Sequence, residues 1–225
     1  MPHPGFDADC LRGEEPVHRI PGRNWSKADV EFYETEDLKV AVKTYELRNA
    51  LARNTLGRWL IRREAAAFRA VSGVSGVPAF LGRLGAFAIA TEWVDAVPLK
   101  ARKGDRLDDE IFDRLSGIVS EFHERGVALA DLHHRDVLVG EDGSLYVLDL
   151  ATAWIAGDRP GFLRRYLFDR FRESDMVNLA RMRARFTGGD PAAAVASVSP
   201  GAAAWHRRGR KVKSILDRLR GKRVS

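Results

Sequence analysis

Short apolar runs bounded by glycine, proline and acidic residues dominate the first part of the chain. Such runs, roughly four to eight residues long, predict β-strands. They cover residues 17–20, 29–33, 38–45, 77–81 and 86–91. After the third run the apolar spacing changes to three and four residues, which predicts a helix over residues 49–71. The apolar face of this helix is predicted to carry Leu56, Leu60, Phe68 and Val71.

Helical spacing dominates the second part of the chain. One helix is predicted to begin at Asp108 or Asp109 and to end before Gly126. Its apolar face comprises Ile111, Leu115, Ile118, Val119 and Phe122. Another helix is predicted over residues 176–186, beginning near Ser174. Strands followed by helices indicate an α+β protein.

The two parts meet at residues 127–150, which read VALADLHHRDVLVGEDGSLYVLDL. Apolar runs at residues 137–139 and 145–148 predict two short strands. The Asp142-Gly143 pair between them is a strong signal for a β-hairpin. The hairpin is therefore predicted to connect a polar loop at its beginning with Asp149 at its end.

Acidic side chains stand at both ends of this predicted hairpin. Asp131 and Asp136 lie in the loop before it, together with His133, and Asp149 follows it. The hairpin is expected to bring the three carboxylates together. Because like charges repel unless a cation lies among them, and because hard oxygen ligands suit Mg²⁺, the sequence predicts a magnesium site here.

This stretch resembles the catalytic core of the protein-kinase-like superfamily. In that family an Asp opens a loop, a metal-binding Asn or Asp follows five residues later, and a further metal-binding Asp ends the next hairpin. The resemblance implies that Asp131 is the catalytic base and that Asp136 and Asp149 hold Mg²⁺. It also implies transfer of the γ-phosphoryl group of ATP to a hydroxyl, with His133 donating to the transferred group.

A second register of the same motif must be considered. His134-Arg135-Asp136 spells the family's His-Arg-Asp, which would make Asp136 the base. In that register residues 137–140 would have to be loop, but they are an apolar run that predicts a strand. The register with Asp131 as the base is therefore preferred.

Lys43 and Glu64 extend the resemblance into the first part of the chain. Val40-Ala41-Val42-Lys43 resembles the family's Val-Ala-Ile-Lys strand, which implies that Lys43 holds the α- and β-phosphates of ATP. Glu64 stands in the apolar stripe of the predicted helix, and a carboxylate facing a core needs a partner. Lys43 is the predicted partner; the alternative is that Glu64 lies at the edge of the stripe and pairs with a surface arginine.

Residues 91–94, Thr-Glu-Trp-Val, resemble the family's segment between the two lobes. The resemblance implies that the carbonyl of Glu92 and the amide of Val94 bind adenine and that Thr91 closes the back of the pocket. An ordinary strand end is the alternative. The loop over the phosphates, residues 21–27, has only Gly22 where the protein kinases of the family have three glycines, so Ser26 and Lys27 are expected to contribute.

Asp175 completes the set of matches. It resembles the family's buried Asp that holds the backbone of the catalytic loop. A simple cap at the beginning of the predicted helix explains it equally well.

The chain departs from signalling kinases in its second part. Leu150-Ala151 replaces Phe-Gly, only about 25 residues separate Asp149 from the helix predicted near Ser174, and no Ala-Pro-Glu follows. These features resemble the small bacterial lipopolysaccharide-core kinases, which act on Kdo and heptose, and the RIO-like kinases. They imply a sugar of the lipopolysaccharide core as acceptor. A RIO-like Ser/Thr protein kinase and a pseudokinase with a scaffold role remain alternatives.

The resemblance also implies a domain organisation, a two-lobed protein-kinase-like fold with a β-rich N-lobe and a mainly helical C-lobe. Residues 17–94 would form the N-lobe and residues 95–186 the C-lobe. A mobile segment, residues 1–16, would precede them. Residues 187–225 would follow as a linker or weak helix and a basic tail.

Composition narrows the setting. The single cysteine, Cys10, excludes an internal disulfide and indicates a reducing cytosol. No signal-peptide-like or membrane-spanning apolar run is present, so a cytoplasmic location is expected. The protein is also expected to be a monomer. A zinc site at His133-His134 is a minor alternative.

Positive charge is concentrated at the end of the chain. Residues 201–225 contain nine Lys or Arg and one Asp, against a formal net charge of +6 for the whole chain. Residues 205–225 place Val212, Ile215, Leu216 and Leu219 at helical spacing, which predicts contact with an anionic membrane surface. A solvated tail and a helix packed on the C-lobe are the alternatives. Nucleic-acid binding is less favoured because Trp205 is the only aromatic residue in the tail.

Overall fold

A computed structural model describes residues 6, 8–11, 13–23, 27–35, 38–99, 106–157 and 159–198. The protein is α+β, with a sheet-rich amino-terminal part and a helical carboxy-terminal part. Among the described residues, no helix is long and apolar enough to cross a membrane. The predicted membrane-binding tail, residues 205–225, and Ser26 of the predicted phosphate loop lie outside the described residues.

Five antiparallel strands form the amino-terminal sheet, in the order β1-β2-β3-β5-β4. They are β1 (His18–Ile20), β2 (Asp29–Glu34), β3 (Lys39–Thr44), β4 (Phe80–Leu84) and β5 (Ala88–Glu92). All five were predicted, but β4 begins three residues later than the pattern indicated. Val77 donates its amide to the carbonyl of Val74 in a turn, and Pro78 has no amide to donate, so the ladder starts after both residues.

The helix between β3 and β4 contains a π-helical turn. It comprises α1 (Ala50–Ala52), a π turn (Arg53–Gly57) and α2 (Arg58–Ala70). The side chain of Asn49 caps the beginning by accepting from the amide of Ala52 at 2.8 Å. Because a π turn is wider than an α-helical turn, it rotates the face that follows. The buried face consequently carries Ile61, Ala65 and Phe68, whereas the predicted Leu56 and Leu60 are only partly buried.

Among the described residues, three α-helices and five short strands form the carboxy-terminal part. The helices are α3 (Asp109–Glu124), α4 (Phe162–Thr187) and α5 (Pro191–Val198). The strands are β6 (Ala96–Pro98), β7 (Val127–Ala128), β8 (Val137–Gly140), β9 (Leu145–Val147) and β10 (Trp154–Ile155). β8 and β9 form the predicted hairpin, with β6 paired on the other side of β8. α5 confirms the helical alternative for part of residues 187–204.

The prediction for α4 was wrong at its beginning. The helix starts at Phe162 rather than near Ser174, so the segment after Asp149 is much shorter than the sequence indicated. The first two turns of α4 expose most of their apolar side chains, including Phe162, Leu163 and Tyr166. A helix that does not bury one face shows no one-sided apolar stripe, and hydrophobic spacing therefore missed it.

One apolar core joins the two parts of the chain. Its buried members come from α2, β5, α3, the segment before β8, the β8–β9 hairpin and α4. Phe112, Phe122 and Leu150 are among the largest fully buried side chains. The loop carrying Asp131 and the hairpin ending at Asp149 are thus attached to this core, which positions the polar residues between them.

Candidate functional site

A cavity of about 520 Å³ lies between the amino-terminal sheet and the β8–β9 hairpin. Its apolar wall includes Val30, Ala41, Ile89 and Leu138, and Thr91 and Trp93 lie at the side where β5 ends. Six of the eight predicted site residues line it: Lys43, Glu64, Glu92, Val94, Asp136 and Asp149. Asp131 and His133 do not line it.

Lys43 occupies the centre of a three-residue ion cluster in this cavity. Its Nζ lies 2.9 Å from Oε1 and 2.8 Å from Oε2 of Glu64, and it donates to Oδ1 of Asp149 at 2.8 Å. The Glu64 side chain is 2% exposed, which excludes the alternative of a carboxylate at the surface edge of the helix. The structure therefore brings together three residues that are far apart in the sequence.

The cluster fixes the charges of its members. Burial disfavours the ammonium of Lys43, but Glu64 and Asp149 outweigh burial and hold the pKa of Lys43 above its ordinary value. Burial raises the pKa of Glu64, against the attraction of Lys43. Lys43 holds the pKa of Asp149 below its ordinary value, and Lys27 contributes in the same direction. Asp149 is thus an ionised carboxylate inside a largely apolar cavity.

Asp136 lies beside Asp149 because of the hairpin. The carbonyl of Asp136 accepts from the amide of Leu148 at 2.7 Å, so the beginning of β8 is tied to the residue before Asp149. Burial, together with the charge of Asp149, raises the pKa of Asp136 to about 6. The strand directly after Asp136, residues 137–140, is the feature on which the register with Asp131 as base depends.

The predicted meeting of three carboxylates is not found. Asp131 is exposed and lies outside the cavity, although its charge is near enough to raise the pKa of Asp136. Within the described part of the chain, no group of three or more histidine, cysteine or acidic side chains could hold a metal ion. Inside the cavity, Asp149 is instead paired with the Lys43 ammonium.

Two residues beside the carboxylates have unusual backbones. Ala130 (φ +67°) and Asp149 (φ +60°) are the described non-glycine residues with positive φ. Each costs on the order of 1–3 kcal/mol and persists only where its surroundings hold it in place. One strained residue immediately precedes Asp131, and the other is Asp149 itself.

Asp175 holds the backbone next to the strained Ala130. Its Oδ2 accepts from the amide of Leu129 at 2.8 Å and lies 3.0 Å from Nε2 of His123. Burial raises the pKa of Asp175, while His123 and the Leu129 amide oppose that shift. Asp175 lies well inside α4, so the alternative of a helix cap is wrong. His123 was not identified from the sequence, where it is simply one residue of a helix.

His133 and His134 interact with each other rather than converging on a metal. Their ring centroids are 4.0 Å apart, and His134 also packs against Phe186. Nδ1 of His133 accepts from the backbone amide and from Nε of Arg135, both at 3.2 Å. His133 therefore lies in the loop beside Asp131, with one ring nitrogen already bonded.

A second cluster joins Asp29, at the beginning of β2, to β1 and to Gly22, and sequence reasoning missed it. Asp29 accepts from Arg19 at 2.8 Å and from the amide of Gly22 at 2.7 Å, and Arg48 also donates to it. A side chain at Gly22 would lie 2.4 Å from the carbonyl oxygen of Lys27, so only glycine permits this close approach. Lys27 also lines the cavity. The sequence signal for the cluster was Asp29, an acidic residue at the beginning of a predicted strand.

Comparison with known proteins adds little to this description. No protein-family model matches the chain. The chain is similar to an uncharacterized protein of Dictyostelium discoideum, with 29% identity over 109 residues. The matched region covers 47% of this chain and 12% of that relative. The function is therefore inferred from the residues of the site.

Proposed function

We propose that the protein is a kinase with a two-lobed protein-kinase-like fold, and that it transfers the γ-phosphoryl group of ATP to a hydroxyl. The observation that carries this proposal is the ion cluster of Lys43, Glu64 and Asp149 in a cavity between sheet and hairpin. Glu64 holds the lysine, and Asp149 ends the hairpin in the strained conformation that turns its carboxylate into the cavity.

The cavity suits a nucleotide with its metal. The apolar wall would enclose the adenine, with Glu92 and Val94 at its edge offering a carbonyl and an amide. Lys43 and Lys27 would hold the phosphates. Asp136 and Asp149 would bind Mg²⁺, which typically takes one or two carboxylates together with substrate phosphates. The bound metal would neutralise charge on the phosphates during transfer.

Asp131 would orient the acceptor hydroxyl and remove its proton. Its position outside the nucleotide cavity leaves it accessible to an acceptor, and Asp175 fixes the backbone immediately before it. His133 would donate to the transferred group from the same loop. Because Asp131 is exposed, groups outside the cavity would determine which acceptor binds.

The acceptor that we propose is a sugar hydroxyl of the lipopolysaccharide core, met by a cytoplasmic monomer at a membrane. The compact segment between Asp149 and α4 supports this choice, because it leaves little chain for an activation loop. A RIO-like protein kinase would use the same base and metal ligands. A pseudokinase is the weaker alternative, since both proposed metal ligands and the proposed base are carboxylates.

The first test is nucleotide binding. ATP with Mg²⁺ is expected to raise the Tm of the wild-type protein, since a ligand at about 100 times its Kd stabilises by about 2.7 kcal/mol. Asp149→Ala should lose most of this shift. Asp149→Asn, which keeps the left-handed backbone that Asn tolerates, should lose less of the shift, because its amide oxygen can still ligate Mg²⁺. Glu124→Ala, an exposed change at the end of α3, is the control. Equal shifts in all four proteins would contradict the assignment of Asp149.

The affinity for magnesium and ATP should also depend on the protonation of Asp136. Burial and Asp149 raise the pKa of Asp136 to about 6 in the folded protein. Its contribution to the free energy of unfolding is therefore fully present below pH 3.8 and is lost as the pH rises through about 6. Metal binding requires the ionised form and shows the opposite trend. Affinity should fall by up to about tenfold per pH unit below pH 6.

Asp136→Asn is the control for this pH dependence. The asparagine carbonyl can still bind Mg²⁺ but does not titrate in this range. Calorimetric titrations of both proteins from pH 5 to pH 8 would separate the titration of Asp136 from that of ATP itself. If the two proteins showed parallel pH profiles, Asp136 would not be a ligand.

A further inference from the structure

The outer side of α2 and the beginning of α4 form a second surface, which shares no lining residue with the nucleotide cavity. Between them lies an open cavity of about 740 Å³, lined by Trp59 and Arg63 of α2, by residues 153–155 and by residues 161–164 and 167. We define the α2–α4 surface as Arg58, Trp59, Arg62 and Arg63 together with residues 162–166. The proposed kinase reaction uses none of these residues.

The α2–α4 surface exposes large apolar side chains next to one another. Phe162 is 88% exposed, Leu163 68%, Trp59 54% and Tyr166 52%. Scattered exposed apolar residues are ordinary, but a group of them on one surface marks an interaction site. The apolar groups of α4 belong to its first turns, which extend past the buried part of the helix.

The same surface is strongly basic. It contains five arginines, at positions 58, 62, 63, 164 and 165, and no acidic residue. Arg63 donates to the carbonyls of Thr152 and Ala153, and Arg164 donates to the carbonyl of Ile155. Because these acceptors are neutral carbonyls, the hydrogen bonds do not offset the positive charge of either guanidinium group. The surface therefore combines exposed apolar groups with arginine cations.

We propose that the α2–α4 surface docks on an anionic lipid bilayer. Phe162 and Leu163 would enter the boundary between headgroups and acyl chains, Trp59 and Tyr166 would lie at the headgroup level, and the arginines would contact anionic headgroups.

A symmetric contact with a second copy is disfavoured because it would place arginine against arginine. The basic residues 201–225 are disfavoured as an occupant for the same reason. Nucleic acid is disfavoured as the partner because the exposed leucine beside the aromatic rings would gain no favourable contact from it.

Docking in this way would place the candidate active site close to the bilayer. Arg63 and Arg164 donate to carbonyls within residues 152–155, and these residues follow Asp149 by only a few positions in the sequence. The inference concerns binding alone and does not depend on phosphoryl transfer.

The test measures co-sedimentation of the full chain with vesicles of phosphatidylglycerol and phosphatidylcholine. The double variant Phe162→Ser and Leu163→Ser should lower the partition coefficient by about tenfold or more. Its control is Val17→Ser with Val97→Ser, two apolar side chains exposed elsewhere, which should bind as the wild type does. All variants must retain the wild-type Tm. Because residues 201–225 are present throughout, any contribution from them is common to all proteins.

Charge and insertion are tested separately. Arg62→Gln with Arg165→Gln should weaken binding to anionic vesicles at low salt, whereas Arg83→Gln with Arg114→Gln should not. Brominated phosphatidylcholine in anionic vesicles should quench a fluorescence component that Trp59→Phe removes. Wild-type sedimentation of the Phe162 and Leu163 double variant would overturn the proposal. The proposal would also be overturned if the Phe162 and Leu163 double variant lost binding to RNA but bound vesicles as the wild-type protein does.

Discussion

Asp131→Asn is expected to lower phosphoryl transfer by about 10²–10⁴-fold, the usual contribution of a general base. The change preserves size and hydrogen-bonding capacity but removes the group that would accept the hydroxyl proton. ATP binding should remain, because Asp131 lies outside the nucleotide cavity. Transfer of labelled phosphate to lipid and protein fractions measures the first effect, and the thermal shift with ATP and Mg²⁺ measures the second.

Asp136→Asn is the matched control for this prediction. It makes the same chemical change five positions away. The variant should retain most of its activity, since an amide oxygen can ligate Mg²⁺. In the alternative register Asp136 would be the base, so the two variants distinguish the registers. If Asp136→Asn abolished transfer and Asp131→Asn were tolerated, the His-Arg-Asp register would be correct and the proposed roles would be exchanged.

The hairpin was predictable because its signals are local. Two apolar runs on either side of Asp142-Gly143 fix strand, turn and strand within a dozen or so residues, and the structure has all three. The side chain of Asp142 accepts from the amide of Ser144 at 2.9 Å inside the turn. The position of Asp136 next to Asp149 follows from this local geometry.

The pair of Lys43 and Glu64 was predictable for a different reason. A carboxylate in the apolar stripe of a helix requires a partner, and a lysine on a neighbouring strand is the simplest one. Which residues form the buried face of this helix was less well predicted, because the π turn at Arg53–Gly57 rotates the face that follows it. At Gly57, within that turn, a side chain would lie 2.9 Å from the Tyr45 ring.

Other features depended on contacts that no local pattern reveals. The strained conformation of Ala130 is held by Asp175, 45 positions later in the sequence. Asp29 gathers Arg19, Gly22 and Arg48 into one cluster, although each residue alone looks like part of an ordinary surface. The orientation of Asp149 towards Lys43 likewise follows from charge balance in the folded protein, and a sequence pattern contains no such information.

Removing the cation of the cluster should produce a large loss of stability. Lys43→Met leaves Glu64 buried and ionised without its partner, and breaking a buried ion pair in this way costs about 3–5 kcal/mol. The loss should depend on pH because Glu64 can take up a proton. Without the ammonium the pKa of Glu64 rises further, so the carboxyl destabilises the folded state only as pH rises through that pKa. Urea denaturation should therefore show a small loss near pH 4.5 and the full loss at pH 8.

Two further variants decide whether this interpretation is correct. Lys43→Met combined with Glu64→Gln removes both charges and should recover much of the stability at pH 8. Lys39→Met, on the same strand, removes a lysine whose partner Glu34 is well exposed, and exposed pairs contribute only about 0–1 kcal/mol. A loss in Lys43→Met no larger than in Lys39→Met, and independent of pH, would mean that Glu64 does not depend on Lys43. Lys43 could then no longer be regarded as held in place for the phosphates.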